Sequence, residues 1–323
     1  KSPSFPQKPW KSRYLSHQLP IFTRLFCVFM NKLLAFCLGF LLVFSSCGKD
    51  KSPDTTTPPN PVQPGDNDHL LLGNPTNATT NAGNGNNYLK NNTYYQLAYS
   101  SSRGIPVWVS WHLESGDLGS TPRQDDFRPD NLPGSFYAVT SASYNSSGFD
   151  RGHNVPSADR TSSVAANSST FLMTNIIPQA PNFNQGPWEG LEDFIRTTVG
   201  TNNEAFIVMG NYGTGGKGAS GTLTNTIDNG NVTVPAMVWK VAVIIPKGNN
   251  DLSRISSTAT VIAVEMPNDN TLYTTSGKNA WRNYTVKVRD LETHANAAGV
   301  PLNLFSNLPT EVADALKDKA KYQ

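Results

Sequence analysis

Beyond Cys47 the chain contains no cysteine: Cys27, Cys37 and Cys47 are the only three in 323 residues. The long remainder therefore has neither a disulfide nor a thiolate nucleophile, and its stability must come from a packed core. Charge is scarce too, at 15% of residues, and the formal +2 is misleading. Six of the 26 basic residues and none of the 24 acidic ones precede Cys47, leaving 20 against 24, a balance of −4. A broad cationic face for gripping a polyanion is therefore excluded, and any such recognition has to be local. Histidines are few and scattered, at positions 17, 69, 112, 153 and 294, and no HExxH occurs, which argues against a zinc site of three or four close ligands. A phosphate loop is also missing. Counting back from Gly216 and Lys217 puts Asn211 where the opening glycine is needed, and Gly218 replaces the required Ser or Thr. There is no internal repeat.

What the chain does have begins with a short apolar run. "MNKLLAFCLGFLLVFSSCGKDK", Met30 to Lys51, carries one lysine near its start, then an apolar stretch, then small residues before Cys47. That is the layout of an export signal, too short and wrongly flanked for a stable membrane span. "FSSC" resembles a bacterial lipobox, with Phe44 where an aliphatic residue is preferred, and Cys47 would then be lipidated and become the first mature residue. The expected organisation is an upstream segment over 1–29, a lipoprotein-type signal over 30–46, the lipid-bearing Cys47 with a flexible Pro/Thr/Asn/Gly tether over 47–87, and one folded domain over 88–323. The expected location is exported: membrane-anchored through Cys47 and facing the periplasm or cell surface, or secreted.

From Tyr88 the composition turns to alternating and apolar runs. "IPVWVSWHL" places Val107, Val109 and Trp111 on one face and Trp108, Ser110 and His112 on the other, which predicts a strand. "GSFYAVTSASY" (134–144) is a second candidate strand, and "EAFIVMGNYG", "VPAMVWKVAVIIP" and "SSTATVIAVEMP" are three more. Between them, Trp188, Leu191, Ile195 and Val199 recur at helical spacing behind Pro187, which suits a first helical turn. "LPTEVADALKDKAK" predicts a terminal helix. Strands and helices in this order give an α+β domain.

The polar loop "YNSSGFDRGHNVPSADR" (144–160) sets Asp150, Arg151 and His153 within four positions, and "MTNIIPQAP" and "NFNQGPWEGLE" follow. These three linked motifs resemble the DNA/RNA non-specific endonucleases, a branch of the ββα-metal (His-Me finger) nucleases. The resemblance runs from about residue 88 to the end of the chain. It implies a central, mostly antiparallel sheet flanked by helices, and a Mg²⁺-dependent endonuclease, with Mn²⁺ as a substitute, cutting DNA and RNA to leave 5′-phosphate ends. Carried over residue by residue, it implies His153 as general base, Asn184 as the direct metal ligand, and Glu192 as the carboxylate that holds the metal through water. Arg151 falls on the arginine of the motif, Asn175 on an asparagine that orders the site, and Asp150 on a loop-orienting position. Arg123 is the expected phosphate contact, with Arg128 close enough to compete.

The chemistry agrees. Hydrolysing a phosphodiester requires a water to lose its proton, and an imidazole with a reference pKa of about 6.5 suits that task near neutrality. A hard divalent cation bound through oxygens steadies the developing charge, and Mg²⁺ accepts few protein ligands while keeping several waters. Arginine forks match the non-bridging oxygens. Asparagine also suits a helix N-cap, so Asn184 keeps that second reading, and Arg151 keeps that of a structural ion-pair partner. Two alternatives stand beside this one: a phosphodiesterase of the same fold preferring RNA or single strands, and a catalytically silent binding lipoprotein. DNA and RNA substrates met mainly through phosphates, and a lipid surface reached through Cys47, are the expected partners; oligomeric state is not legible.

Overall fold

The computed structural model describes residues 64–275 and 277–322; the upstream segment over 1–29, the signal over 30–46, Cys47 and the first part of the expected tether, 48–63, lie outside them. Strands β1 (Tyr88–Asn92), β2 (Tyr95–Ser100) and β3 (Ile105–Leu113) lead into β4 (Asp150–His153), helix α1 (Val164–Ser169) and β5 (Ile176–Gln179). Helix α2 (Glu189–Val199), strand β6 (Asn203–Tyr212), strands β7 (Met237–Pro246) and β8 (Thr260–Pro267), and helices α3 (Val288–Ala297) and α4 (Thr310–Lys317) follow. Six of the strands form one sheet in the order β1-β2-β3-β6-β7-β8, every neighbouring pair antiparallel. Strands β4 and β5 form a separate two-stranded ribbon. The fold is thus α+β, a mostly antiparallel central sheet flanked by helices. Among the described residues no helix is long and apolar enough to cross a membrane.

Both faces of the sheet are covered, which is why β6 and β7 read as nearly continuous apolar runs instead of alternating ones. Ala205, Ile207 and Met209 enter one core with Trp111, Trp188, Leu191 and Ile195. Phe206 and Val208 enter the other with Trp108, Trp239, Leu291 and Leu316. The ribbon and α2 therefore lie on the first face, and α3 and α4 on the second. Two close approaches need glycine. A Cβ on Gly210 would meet the Trp239 ring at 2.5 Å, and one on Gly190 would meet the Lys278 carbonyl oxygen at 1.9 Å, so α2 can lie directly on the Lys278–Tyr284 turn.

Three expectations change. Val107 belongs to the second core beside Trp108, not with Val109 and Trp111. Opposite it Ala98 pairs with Trp108 and Tyr99 with Pro106, so Val107 is the extra residue of a β-bulge and the alternation shifts there. Residues 134–144 form no strand; they are irregular until a 3₁₀ turn at Ser141–Tyr144. Finally, packing starts well before residue 88. Leu71 and Leu72 are 1% and 3% exposed in the second core, and Asn307 donates from its side-chain amide to the carbonyls of Leu70 and Leu71. The Pro/Asn/Gly composition concealed this because only two or three leucines do the anchoring.

Leu71→Ala should therefore behave as a core truncation, costing about 2–5 kcal/mol. Urea unfolding of the two proteins checks it; an unchanged midpoint would mean that the segment rests on the surface.

Candidate active site

The site is built where the ribbon meets the start of α2. In the ribbon Asp150 faces Gln179, Arg151 faces Pro178, Gly152 faces Ile177 and His153 faces Ile176. Gly152 leaves the space that the Gln179 side chain occupies, 1.9 Å from where a Cβ would sit. Asn268, just past β8, fastens the far end of β5 to the sheet: its carbonyl oxygen accepts from Ala180 N at 2.8 Å, and its amide donates to Pro178 O at 2.9 Å. The twenty-odd residues joining β4 to β5 are closed by Asn175, which is fully buried. Its amide donates to Val155 O and Thr170 O at 3.0 and 2.9 Å, and its oxygen accepts from Val155 N at 3.0 Å. Asn175 is thus committed to ordering the loop and is not among the residues that line the cleft.

Between Pro181–Phe183, a single helical turn, and α2 the chain makes a wider π-type turn over Asn184–Trp188, where Pro187 cannot donate to an ordinary helical ladder. Asn184 opens this turn; its backbone N–H donates to Ala180 O at 2.8 Å, but its side chain makes no capping bond. Instead its amide nitrogen donates to Asp150 Oδ2 at 2.9 Å, and Gln185 Nε2 donates to the same oxygen at 2.9 Å. A carboxylate can only accept, so it draws the NH₂ end of the Asn184 amide to itself and leaves Oδ1 uncommitted.

An open cleft of about 430 Å³ is lined by Arg123, Arg151, His153, Asn184, Gln185, Glu189, Glu192, Asp193 and Arg196 among others. All of the expected site residues except Asn175 and Asp150 line it, and Asp150 stands directly behind Asn184. The two upstream arginines differ in position. Arg123 lines the cleft while bonded to Asp125 at 2.6 Å; Arg128, bonded to Asp126 at 2.6 Å and to Ser168 O at 2.9 Å, does not line it. The Arg123 loop is held in place by Gln124 N donating to the buried Asn167 side chain at 3.0 Å.

His153 sits in an aromatic cage, its ring centroid 5.5 Å from Phe127 and 4.9 Å from Phe171. The Arg123 guanidinium lies 4.8 Å over Phe171, and that of Arg151 lies 4.2 Å over Phe127. Arg151 donates to Ser141 Oγ at 2.8 Å and takes no carboxylate partner among the described residues. Imidazole Nε2 is buried with no protein partner, which leaves it for water or a ligand. Desolvation in the cage, reinforced by Arg123 and Arg151, drives the His153 pKa down to about 3. The reference value of about 6.5 used for the sequence does not apply, because burial and two neighbouring guanidinium groups oppose protonation.

Sequence reasoning missed two residues. Arg196, one turn beyond Glu192 on the same helix face, bonds Asp159 at 2.7 Å and Asp193, and also lines the cleft. Lys240, in the middle of β7, donates to Glu192 Oε1 at 2.9 Å. Its signal was a lone lysine inside an otherwise apolar strand. Burial raises the Glu192 pKa, opposed by Lys240 and Arg196.

The donor set suits a hard cation. Asn184 and Glu192, both able to offer oxygen donors, line one cleft, and among the described residues no group of three or more His, Cys, Asp or Glu is placed to cage a metal. An amide oxygen, a carboxylate and retained water would suit a hard cation such as Mg²⁺ better than a tetrahedral zinc.

The chain is similar in sequence and fold to known nucleases. Residues 72–311 match the family model described as DNA/RNA non-specific endonuclease. The chain is 42% identical over 252 residues to a protein named "Nuclease" from Nostoc sp., covering 78% of this chain and 85% of that one. It is 31% identical over 165 residues to human "Endonuclease G, mitochondrial", covering 50% of this chain and 56% of that one. The solved structure "Crystal structure of the EndoG/EndoGI complex: Mechanism of EndoG inhibition" is similar in fold, with a TM-score of 0.59 at 21% identity over 76% of this chain and 92% of that one.

The caged imidazole also makes stability depend on pH. Between about 3 and 6.5 the unfolded chain binds a proton at this histidine that the folded chain refuses, so the contribution is complete above about 6.5 and is lost as pH falls toward 3. In His153→Phe, the fall of unfolding free energy from pH 6 to pH 4 should be shallower by up to about 1.4 kcal/mol per pH unit. Urea titrations at pH 4, 5, 6 and 7 test this, and parallel slopes for both proteins would refute it.

Proposed function

The chain belongs to the DNA/RNA non-specific endonuclease family, and from that premise we propose that it is a Mg²⁺-dependent endonuclease of DNA and RNA in which His153 takes the proton of the attacking water. The observation that carries the reading is the neutral, caged imidazole with a partnerless buried nitrogen, flanked by two guanidinium groups and sharing a cleft with Asn184 and Glu192. Nuclease activity on nucleic acid follows from family membership; the residue roles, the metal and the products are the proposal.

Arg123 and Arg151 are held against aromatic faces and meet the non-bridging oxygens of one phosphate with little loss of side-chain freedom. His153 is already deprotonated at neutral pH, so it accepts a proton without first having to lose one. Asn184 Oδ1, aimed by Asp150, would hold the metal directly, and Glu192 would hold it through water. Mg²⁺, when bound, supplies positive charge to the phosphate and to the departing oxygen. Contacts made through phosphate, which every nucleotide shares, support cleavage without sequence preference, and the family resemblance supports products with 5′-phosphate ends. Export and lipid attachment through Cys47 complete the proposal from sequence alone.

Plasmid DNA and total RNA should both be cut in Mg²⁺, with activity abolished by EDTA. His153→Ala should remain folded and lose about 10²- to 10⁴-fold in turnover. Asn184→Ala should lose activity through weakened metal retention, partly restored by excess Mg²⁺. The acidic limb of kcat/KM in the wild type should fall well below pH 6.5. Undiminished cleavage by His153→Ala, or a limb at 6.5 that vanishes in that variant, would overturn the assignment or the caged pKa respectively.

A further inference from the structure

Lys240 stands at the centre of β7 with 1% of its side chain exposed, on the sheet face that carries the site. Its neighbours along the strand, Trp239 and Val241, point into the opposite core. A buried ammonium is costly to desolvate, and an apolar residue would fill this position at least as well for stability alone. Its surroundings show what it serves. Nζ lies 4.8 Å from the Trp188 ring and 5.5 Å from the Trp111 ring, and its one carboxylate partner is Glu192 Oε1 at 2.9 Å. Trp111 in turn donates to Asp159, which binds Arg196, so the box is braced from the side as well. Glu192 lines the cleft while Lys240 does not.

We propose that Lys240 is a positioning residue for the cleft: an ammonium fixed behind Glu192 that pins one carboxylate oxygen and leaves the other turned to the metal's water. This rests on the reading of Glu192 given above. Lys240 cannot touch the substrate, because Trp111, Trp188 and Glu192 stand around its nitrogen. Two features make the pinning tight. The ammonium is compact and has three donors, and the two indole faces hold it electrostatically without competing for the carboxylate. Glu192 rides on the first turn of α2 beside Trp188 and Leu191, whose burial fixes the helix on the sheet. Backbone placement of Glu192 is therefore independent of Lys240, and only the carboxylate's orientation depends on it.

A double-mutant cycle separates this role from a purely structural one. Wild type, Lys240→Met, Glu192→Gln and the double variant are stripped of metal, checked by circular dichroism, and titrated with Mn²⁺ while free Mn²⁺ is read by electron paramagnetic resonance. Lys240→Met should weaken Mn²⁺ binding about 10- to 100-fold when Glu192 is present, as loss of an outer-shell partner does, and have little effect in the Glu192→Gln background. Turnover on plasmid should follow the same pattern. Equal weakening in both backgrounds, or wild-type affinity in Lys240→Met, would overturn the proposal. If Lys240→Met does not fold, Lys240→Gln, which keeps a donor and loses the charge, takes its place under the same criterion. Wild type that binds Mn²⁺ and cleaves nucleic acid while the cycle is additive defeats the Lys240 role alone; wild type that does neither defeats the functional reading beneath it.

Discussion

Covering both faces of the six-stranded sheet removes water from the strand interiors, and each polar side chain planted there must find its partner inside the protein. The second face meets this demand with pairs that stay within the scaffold: His112 with Glu204 at 3.0 Å, and Glu265 with Tyr212 and His294. The first face meets it with Lys240, and the partner it finds is a carboxylate on the wall of the cleft. The same constraint acts in both places. It yields bracing on one side and a charged site on the other, because only the first face carries α2 and the ribbon.

The site itself depends on joining two elements that are far apart in sequence. Asp150 ends up beside Asn184 because the ribbon returns β5 next to β4, and the chain then turns directly into the helix. A single carboxylate thereby fixes the ribbon's relation to the helix and decides which end of an amide faces the cleft. The aromatic cage decides the protonation state of His153. Geometry and charge are thus set by separate groups.

Much of this was legible in the residues. The stripe Trp188, Leu191, Ile195 and Val199 is buried as its spacing required, since helical periodicity reports directly on a face that must leave water. The strands β3, β6, β7 and β8 were legible as alternating or continuous apolar runs bounded by polar loops. What failed was whatever depends on a partner distant in sequence. The displacement of Val107 requires knowing that β2 pairs with a bulge, and the anchoring of Leu71 requires knowing that Asn307 lies opposite it. The segment 134–144 alternates well enough for a strand but finds no neighbour to pair with. The family motifs located His153, Asn184 and Glu192, yet no motif could supply the aromatic rings that set the histidine's pKa, because Phe127 and Phe171 come from loops on either side of it.

The anchoring of Leu71 and Leu72 also fixes a direction. The chain joins the domain on the second sheet face, whereas the cleft belongs to the first. A label, a support or a fused protein attached ahead of residue 64 would therefore pull on the back of the molecule. Bulky polymers could still approach the front, and the attachment could be changed without reshaping the site.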